Sequence, residues 1–566
     1  MPYRKAKIIG FDTETYLDHG EYKFLSAQFY SPPLKIKHFI TELKDFKKIF
    51  NHRTRGSILL AFNAEYDFSV LYKVLKDKFE FRVLYNGGRF IAGRILSSYG
   101  CVWKVYDLLN IFVNWNLKKL GEFLKFPKLE KPSFLGLRKP QNSKEWLELK
   151  KYGMTDAKIC YKAGKWLLEN FGTIRLTAPS LSFHVFNRDF KRYPIYPSWS
   201  DSLMEKIRLA YKGGRCEAWI RGSPDKKVYV YDVVSLYPYV MAYYKYPLAI
   251  SDIKEKTDVD LSHEGIAECT VYQDSDIPFL SLRMFTSDGS YKLVFPNGKF
   301  TSYFTYPELR YFEWSGLGKI LKVHKAYEVV GTNYIFSDFV KHYFEKKQND
   351  SDNSAFWKLF LNSLYGKFGQ CIKNSWYKLT PIKKLEKIEK ETRPKFKPRR
   401  NLLIAAYITA RGRIYMHQLY KNVGAENMVY TDTDSIHSFK RLNADGNSLG
   451  SLSFKGETDG ERRATYVRSK FYIFNDVLKC KGLHYVLKAD EMRKLIEIGN
   501  IRVLSRFILR LRSAYARHMP LLYETEMMKQ FSLNSDEKRV YHKPLFGKQL
   551  LEDYTTSEAV CLYGLV

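Results

Sequence analysis

The chain has 566 residues and carries 93 lysines and arginines against 60 acids, a formal charge of +33. With 45% hydrophobic and 16% aromatic residues it is no disordered chain; several domains are expected at this length, and the basic excess favours a polyanionic partner, nucleic acid first. No apolar run is long enough to span a bilayer, the N-terminal MPYRKAKIIGFDTET does not read as a secretory signal, and the seven cysteines, none in Cys-x-x-Cys spacing, argue against zinc or disulfide frameworks and fit a reducing compartment.

In chain order, Ile8-Ile9-Gly10-Phe11 reads as a buried strand leading into Asp12-Thr13-Glu14-Thr15. Side chains two apart on a strand share a face, so Asp12 and Glu14 point together. A second apolar run, Ile58 to Phe62, leads into Asn63-Ala64-Glu65-Tyr66-Asp67. Tyr152-Gly153-Met154-Thr155-Asp156 opens a segment with helical spacing at Ala157, Cys160 and Tyr161. Asp107 is a fifth acid in this region and is expected to be structural. Each piece alone is weak, because surface acids are common and Asp suits helix starts.

Arg192-Tyr193-Pro194-Ile195-Tyr196-Pro197 breaks regular structure and marks the expected end of the first domain. Tyr211-Lys212-Gly213-Gly214 is a turn signal. The alternating run Val228 to Tyr231 predicts a strand ending in Asp232-Val233-Val234-Ser235-Leu236-Tyr237-Pro238. In Lys358 to Gly369, helical spacing puts Lys358, Asn362 and Tyr365 on one face, with Leu359, Leu361 and Leu364 elsewhere for packing. An amphipathic helix with a solvated lysine is the bland reading. Lys341, Lys346 and Lys347 lie upstream.

The stretch Asn374 to Arg400 holds ten basic residues against Glu386, Glu389 and Glu391; a solvated charged loop is its alternative reading. Near the C-terminal third, Tyr430-Thr431-Asp432-Thr433-Asp434-Ser435-Ile436-His437 sits between two apolar runs and predicts a hairpin. On a strand Asp432 and Asp434 would project together. Adjacent carboxylates repel unless neutralised, and a hard divalent cation does this well; a turn rich in Asp and Thr is the alternative. Residues 486–566 show helical runs bearing Arg502, Arg506, Arg510 and Arg517.

Taken together and in this order, the first three acidic stretches resemble the exonuclease motifs of family B DNA polymerases, the third in its Tyr-x-x-x-Asp form. The Asp232 stretch resembles the family's polymerase motif A, Asn362-Ser363-Leu364-Tyr365-Gly366 motif B, and the Asp432–Asp434 stretch motif C. The resemblance implies an α/β multidomain chain: a ribonuclease H-like 3′-5′ exonuclease domain (1–192) and a right-hand polymerase. Its palm would span 193–243 and 401–485, its fingers 334–373 and its thumb 486–566. The long stretch 244–333 and the basic stretch 374–400 look like the two terminal-protein-region insertions of the protein-primed branch found in phages, archaeal viruses and linear plasmids.

The resemblance also implies roles. Asp12, Glu14, Asp67 and Asp156 would hold two metal ions, with Tyr152 orienting the attacking water and Thr15, Asn63 and Tyr66 gripping single-stranded DNA. Asp232 and Asp434, with the Val233 carbonyl and Asp432 beside them, would hold two Mg2+ ions, for which Mn2+ can substitute. Ser235, Leu236, Tyr237, Lys346, Lys358, Asn362 and Tyr365 would bind the dNTP, Tyr237 excluding a 2′-hydroxyl. Tyr211, Gly213 and Gly214 would partition the primer end. Thr409 and Arg413, in Thr-x-x-Gly-Arg, would lie near the primer or priming protein, and Lys470 and Tyr472, in Lys-x-Tyr, would contact the primer. The implied partners are primer-template DNA, single-stranded DNA, dNTPs and a terminal protein, for a monomer acting in the host cytoplasm away from membranes. Two rivals remain: a family B polymerase that needs no protein primer, and a catalytically silent DNA-binding relative.

Overall fold

The computed structural model describes residues 6–197, 199–249, 254–287, 289–370, 374–380, 385–387, 401–444, 446–483, 487–517, 519–533 and 537–562. The N-terminal part is built on a nine-stranded sheet. Its order is Leu385–Lys387, Asn374–Leu379, Glu80–Asn86, Arg89–Leu96, Val102–Asp107, Ile58–Ala61, Ile8–Asp18, Glu21–Ser31 and Ile36–Ile40. Ile8–Asp18 runs parallel to Ile58–Ala61, which runs parallel to Val102–Asp107. The 29-residue helix Ser143–Phe171 crosses this sheet, opening at Asn142, whose side chain accepts from the Glu145 amide. It begins well before Tyr152, where the sequence pattern placed its start, because the charged turns ahead of Tyr152 hide the periodicity. A Cβ on Gly10 would lie 2.1 Å from the Ala157 carbonyl and 2.4 Å from the Tyr161 nitrogen. Only glycine lets strand and helix approach this closely, and that approach brings Asp156 to Asp12.

A five-stranded antiparallel sheet forms the palm position. Its order is Leu452–Glu457, Tyr229–Val233, Ser435–Ser438, Met428–Asp432 and Cys216–Ala218. The largely buried helices Leu402–Val423 and Leu236–Tyr243 pack together in the same apolar core. That core continues through the helices Ser337–Asn349 and Ser354–Asn362 into the helix Ser143–Phe171. Phe171 stacks on Phe360 with ring centroids 5.0 Å apart, so the first domain and the finger helices share one interior.

The stretch 244–333 supplies four strands of a further sheet and most of an apolar cluster that Ile414 and Leu562 complete. Lys254–Lys256, Gly318–Val329, Glu264–Gln273 and Asn297–Thr305 pair in that order, and the helix Tyr306–Trp314 packs against them. The described part of the basic stretch is a hairpin, Asn374–Leu379 with Leu385–Lys387, that extends the N-terminal sheet by pairing with Glu80–Asn86. Lys378 forms a 3.0 Å ion pair with Glu80, and Arg94 lies over the Trp376 ring. Lys383, Lys384, Lys390, Arg393, Lys395, Lys397, Arg399 and Arg400 lie outside the described residues.

The helical expectation for 486–566 holds in part: the helices Ala489–Ile498 and Leu511–Ala516 form, the second flanked by Arg510 and Arg517, but the run bearing Arg502 and Arg506 is a strand. Arg502 and Arg506 sit on Ile501–Ile508, paired antiparallel with Glu524–Phe531. Alternating burial along Ile501-Arg502-Val503-Leu504-Ser505-Arg506 is a period-two pattern. The segment beyond this hairpin leaves it: Tyr554–Ala559 pairs with Ile220–Gly222 of the palm, and Cys561–Leu562 pairs with Asn297–Thr305 of the insertion.

Candidate active sites

In the palm, Asp232 ends its strand directly opposite Ser435. The hairpin expected around Asp432 and Asp434 forms, but the two acids do not share a strand face. Met428–Asp432 and Ser435–Ser438 are its arms, and Thr433-Asp434 is the two-residue turn, with Thr433 at φ 65°. Positive φ at a turn position bends the chain between the acids. The result separates their partners. Lys470 donates to both oxygens of Asp432 at 2.6 Å, while Asp434 faces Asp232, and the Val233 amide donates to the Asp434 carbonyl at 2.9 Å. Burial, and then the Asp232 charge, pushes the Asp434 carboxyl up to about 6.

Two clefts flank these acids. One, of 260 Å³, is lined by Asp232, Val233, Ser235, Asp434 and a basic wall of Lys347, Lys358 and Lys455, with Asn362 among them. Burial, and then the neighbouring Lys358 and Lys455, lowers the Lys347 ammonium from its ordinary range. Three ammoniums crowded at one wall call for an anion. The other cleft, of 590 Å³, is lined by Asp232, Asp432, Asp434, His437, Tyr472 and Lys479. Lys358 and Asn362 lie on the helix Ser354–Asn362, and Tyr365 opens a separate short helix, Tyr365–Phe368. The one continuous helix expected is therefore broken at Ser363-Leu364. Tyr365 meets Tyr237 at a ring-centroid distance of 4.3 Å, beside the main chain of Gly412, where a Cβ would lie 3.2 Å from the Tyr237 ring. Ser235 is in the left-handed region, and its buried hydroxyl has no partner among the described residues. The Leu236 side chain is in the core.

Several expected contacts fall elsewhere. The Lys346 ammonium lies 4.9 Å over the Trp357 ring, away from the cleft that its neighbour Lys347 lines; one helical position turns the side chain by about 100°. Thr409 and Arg413, expected at the primer, are 2% and 4% exposed. Thr409 donates back to Ala405 and Ala406. Arg413 pairs with buried Glu308 at 2.7 Å and donates to the carbonyls of Lys212 and Gly213. Arg413 therefore holds the Tyr-x-Gly-Gly loop from below. A Cβ on Gly214 would lie 2.9 Å from Thr433, so this loop abuts the turn between the two acids. The Tyr211 ring packs on Gly369.

The N-terminal cluster is tighter. Oxygens of Asp12, Glu14 and Asp156 lie within 4.8 Å of one another. Asp67, on the helix Glu65–Leu75, accepts from the Thr13 amide at 2.9 Å and the Thr13 hydroxyl at 2.7 Å. Burial raises Glu14 to about 8 and Asp67 to about 7, and it raises Asp12 well above its ordinary range, with Glu14, Asp67 and Asp156 adding like charge. Asp12 Oδ2 is buried without a partner among the described residues. Oxygen ligands, excess negative charge and an unused oxygen are what a hard divalent cation requires. Lys128 pairs with Asp156 and lies 4.1 Å over the Tyr152 ring.

Around this cluster Thr15 hydrogen-bonds Tyr66. Asn63, at φ 66°, has its amide on Asp107 at 2.8 Å and its side-chain oxygen on Arg510 at 2.8 Å. Asp107 also accepts from the Leu109 amide, which fits the structural role expected of it. Lys128, Lys455 and Arg510 went unnoticed as site residues in the sequence. Each lies far along the chain from the acids it meets, on a segment with no pattern of its own.

The family model described as DNA polymerase type B, organellar and viral, matches residues 140–447. The DNA polymerase of Streptococcus phage Cp-1 is 25% identical over 471 residues, covering 74% of this chain and 78% of that one. The DNA-directed DNA polymerase of Enterobacteria phage PRD1 is 25% identical over 430 residues, covering 69% and 71%. A phi29 DNA polymerase solved with primer-template DNA and incoming nucleotide aligns at a TM-score of 0.74 and 16% identity, covering 94% of this chain and 100% of that one. The shared fold is that of an exonuclease domain joined to palm, fingers and thumb. The chain belongs to the organellar and viral type B DNA polymerases and is a DNA-directed DNA polymerase of the phage and viral protein-primed type.

Proposed function

We propose that this polymerase copies linear DNA from a terminal-protein primer, displaces the strand ahead of it, and excises mispaired ends at its N-terminal carboxylate cluster. The observation that carries this reading is the presence of two separate acidic sites on one chain, one with carboxylate oxygens within 4.8 Å of one another and one flanked by a lysine-lined cleft. The phi29 enzyme of like fold was solved both with primer-template DNA and with single-stranded DNA, which supports the same partners here.

Mg2+ or Mn2+, when bound, would neutralise phosphoryl oxygens and acidify the attacking hydroxyl or water. Asp232, Asp434 and the Val233 carbonyl would hold these ions in the palm, and Asp12, Glu14, Asp67 and Asp156 would hold them in the first domain. Lys470 keeps Asp432 charge-paired beside the primer end. Lys347, Lys358 and Lys455 receive the triphosphate as point charges. Tyr237, braced by Tyr365, closes the space a 2′-hydroxyl would need. In the first domain Tyr152 orients the water, and Lys128 offsets part of the upward shift that burial imposes on Asp156. The palm would run over 193–243 and 401–485, the fingers over 334–373, the insertions over 244–333 and 374–400, and the thumb over 486–566, its last strands reaching back to the palm and the insertion.

A singly primed single-stranded circle tests the reading. With dNTPs, products longer than the circle report displacement. Without dNTPs, loss of a 3′-terminal label reports excision. With a candidate terminal protein, one dNTP and no DNA primer, a nucleotide–protein adduct reports protein priming. Products that stop at the primer 5′ end, a retained label, or no adduct would each remove the corresponding part.

A further inference from the structure

After the thumb hairpin the chain turns back as a strap, residues 537–562. Arg539–Tyr541 pairs with Tyr554–Ala559, which pairs with Ile220–Gly222 of the palm. Cys561–Leu562 then runs parallel to the insertion strand Asn297–Thr305. The receiving surfaces are shaped for it. A Cβ on Gly222, at φ 102°, would lie 2.1 Å from the Asp553 carbonyl, and one on Gly298, at φ 95°, would lie 2.9 Å from the Leu562 carbonyl. Leu550 is buried in the apolar cluster beneath the thumb, and Leu562 in that of the insertion. The strap is also anchored by charge: buried Arg539 lies 3.9 Å over the Trp219 ring and 3.4 Å from Glu217, and Tyr541 donates to the Ala218 carbonyl at 2.8 Å. Glu537 accepts from the Ser287 amide of the insertion at 3.2 Å.

This anchoring places one further side chain at the synthetic site. Lys538 Nζ donates to the Cys216 carbonyl at 2.7 Å. Cys216 is the residue paired directly across the sheet from Asp432. The same carbonyl accepts from Ser469 at 2.9 Å, and the next residue, Lys470, holds Asp432. Lys538 and Lys470 thus stand together on the Asp432 side, whereas Lys347 and Lys358 line the other cleft and Lys455 borders both. Among the described residues Lys538 forms no ion pair, and an ammonium has three N–H groups, of which Cys216 takes one.

We propose that Lys538 binds a phosphodiester of the primer strand next to its 3′ end, so that the strap supplies part of the synthetic site as well as fastening thumb, palm and insertion to one another. The triphosphate side already has its own cations, and a cation beside Asp432 meets the strand that carries the attacking hydroxyl. Lys538 is then a primer-binding residue, and Arg539 and Tyr541 are its positioning residues. The inference rests on the reading of Asp232 and Asp434 as the synthetic acids.

The test uses the full chain, as Lys538→Ala and Lys538→Arg variants, with a labelled primer-template duplex titrated at several salt concentrations. One lost phosphate contact lowers the slope of log affinity against log salt by about 0.9. The alanine variant is expected to show that smaller slope and a several-fold higher KM for primer-template, with kcat at saturating DNA close to the parent, and arginine is expected to restore both. An unchanged slope overturns the proposal, and so does a fall in kcat and thermal midpoint with the slope intact, which is the outcome of a purely structural lysine. Asp434→Asn, measured alongside, separates this from the underlying reading: if that variant still adds nucleotides, the acids are misassigned whatever Lys538 does.

Discussion

The two acidic sites solve the same electrostatic problem in opposite ways. In the first domain three elements, a strand, a helix start and the middle of a long helix, crowd four carboxylates together, and burial lifts their protonation ranges toward neutrality. In the palm one acid is given to a lysine, a second is left with a modest lift, and the surroundings are open clefts with basic walls. On the proposed function, a site that handles only a frayed end can be compact. One that admits a duplex, a triphosphate and a new base pair at every cycle has to stay open and put its positive charge on the walls.

The strongest way to break the comparison is to disable each site alone. Asp434→Ala or Asp232→Ala should remove nucleotide addition and leave excision. Loss of a metal-holding carboxylate is worth several kcal/mol, roughly a thousandfold or more in rate. Single-nucleotide extension measures it, and a variant extending at the parental rate sinks the assignment. Asp12→Ala with Glu14→Ala should do the reverse, removing release of a 3′ label from single-stranded DNA while extension persists. Undiminished release by the purified double variant would place the nuclease elsewhere.

The pH dependence sharpens the contrast. A carboxyl must lose its proton to bind a cation. Glu14 at about 8 and Asp67 at about 7 are therefore still gaining cation affinity up to pH 8, whereas Asp434 at about 6 is half deprotonated at pH 6 and has gained most of its affinity by pH 7. At subsaturating Mg2+ the ratio of excision to synthesis should rise from pH 6 to 8. The sign for stability follows. These folded-state values lie above the unfolded ones, so without cations the fold loses stability as pH rises from the unfolded toward the folded value. Mg2+ should then raise the thermal midpoint more at pH 8 than at pH 6; equal shifts would contradict it.

The smallest expected effect separates two neighbouring lysines. Lys347→Ala or Lys358→Ala should raise the KM for dNTP about tenfold, as the loss of a charged hydrogen bond of about 1.5 kcal/mol implies. Lys346→Ala, facing Trp357, should leave it within about twofold. Steady-state kinetics with one dNTP decide, and a large effect at Lys346 would mean the helix turns the other way when nucleotide binds.

Most of the acids were legible in the sequence because each sits on a short, strongly patterned stretch: Asp12 and Glu14 after Ile8-Ile9-Gly10-Phe11, Asp232 after Val228 to Tyr231. What was not legible was partnership across long separations. Arg413 was expected near the primer or priming protein because its stretch resembles the family's Thr-x-x-Gly-Arg element, yet Glu308, more than a hundred residues away, takes it into the core. Lys128, Lys455 and Lys538 stand on segments without periodicity, so only the fold brings Lys128 to Asp156, Lys455 to the cleft of Asp232 and Asp434, and Lys538 to the Cys216 carbonyl. The strand bearing Arg502 and Arg506 was read as helix because basic residues four apart satisfy both the helical and the period-two pattern.

The Arg413–Glu308 pair also bears on where this enzyme can be cut. Both ions are almost fully enclosed, and stranding one partner of such a pair costs about 3–5 kcal/mol. An excision that trims away the helix Tyr306–Trp314, however cleanly it closes the backbone, would leave a bare guanidinium under the loop that abuts the Thr433 turn. The insertion is thus no detachable module. Shortened or chimeric versions of this enzyme would have to carry that helix along, or replace arginine and glutamate together with a pair of apolar residues.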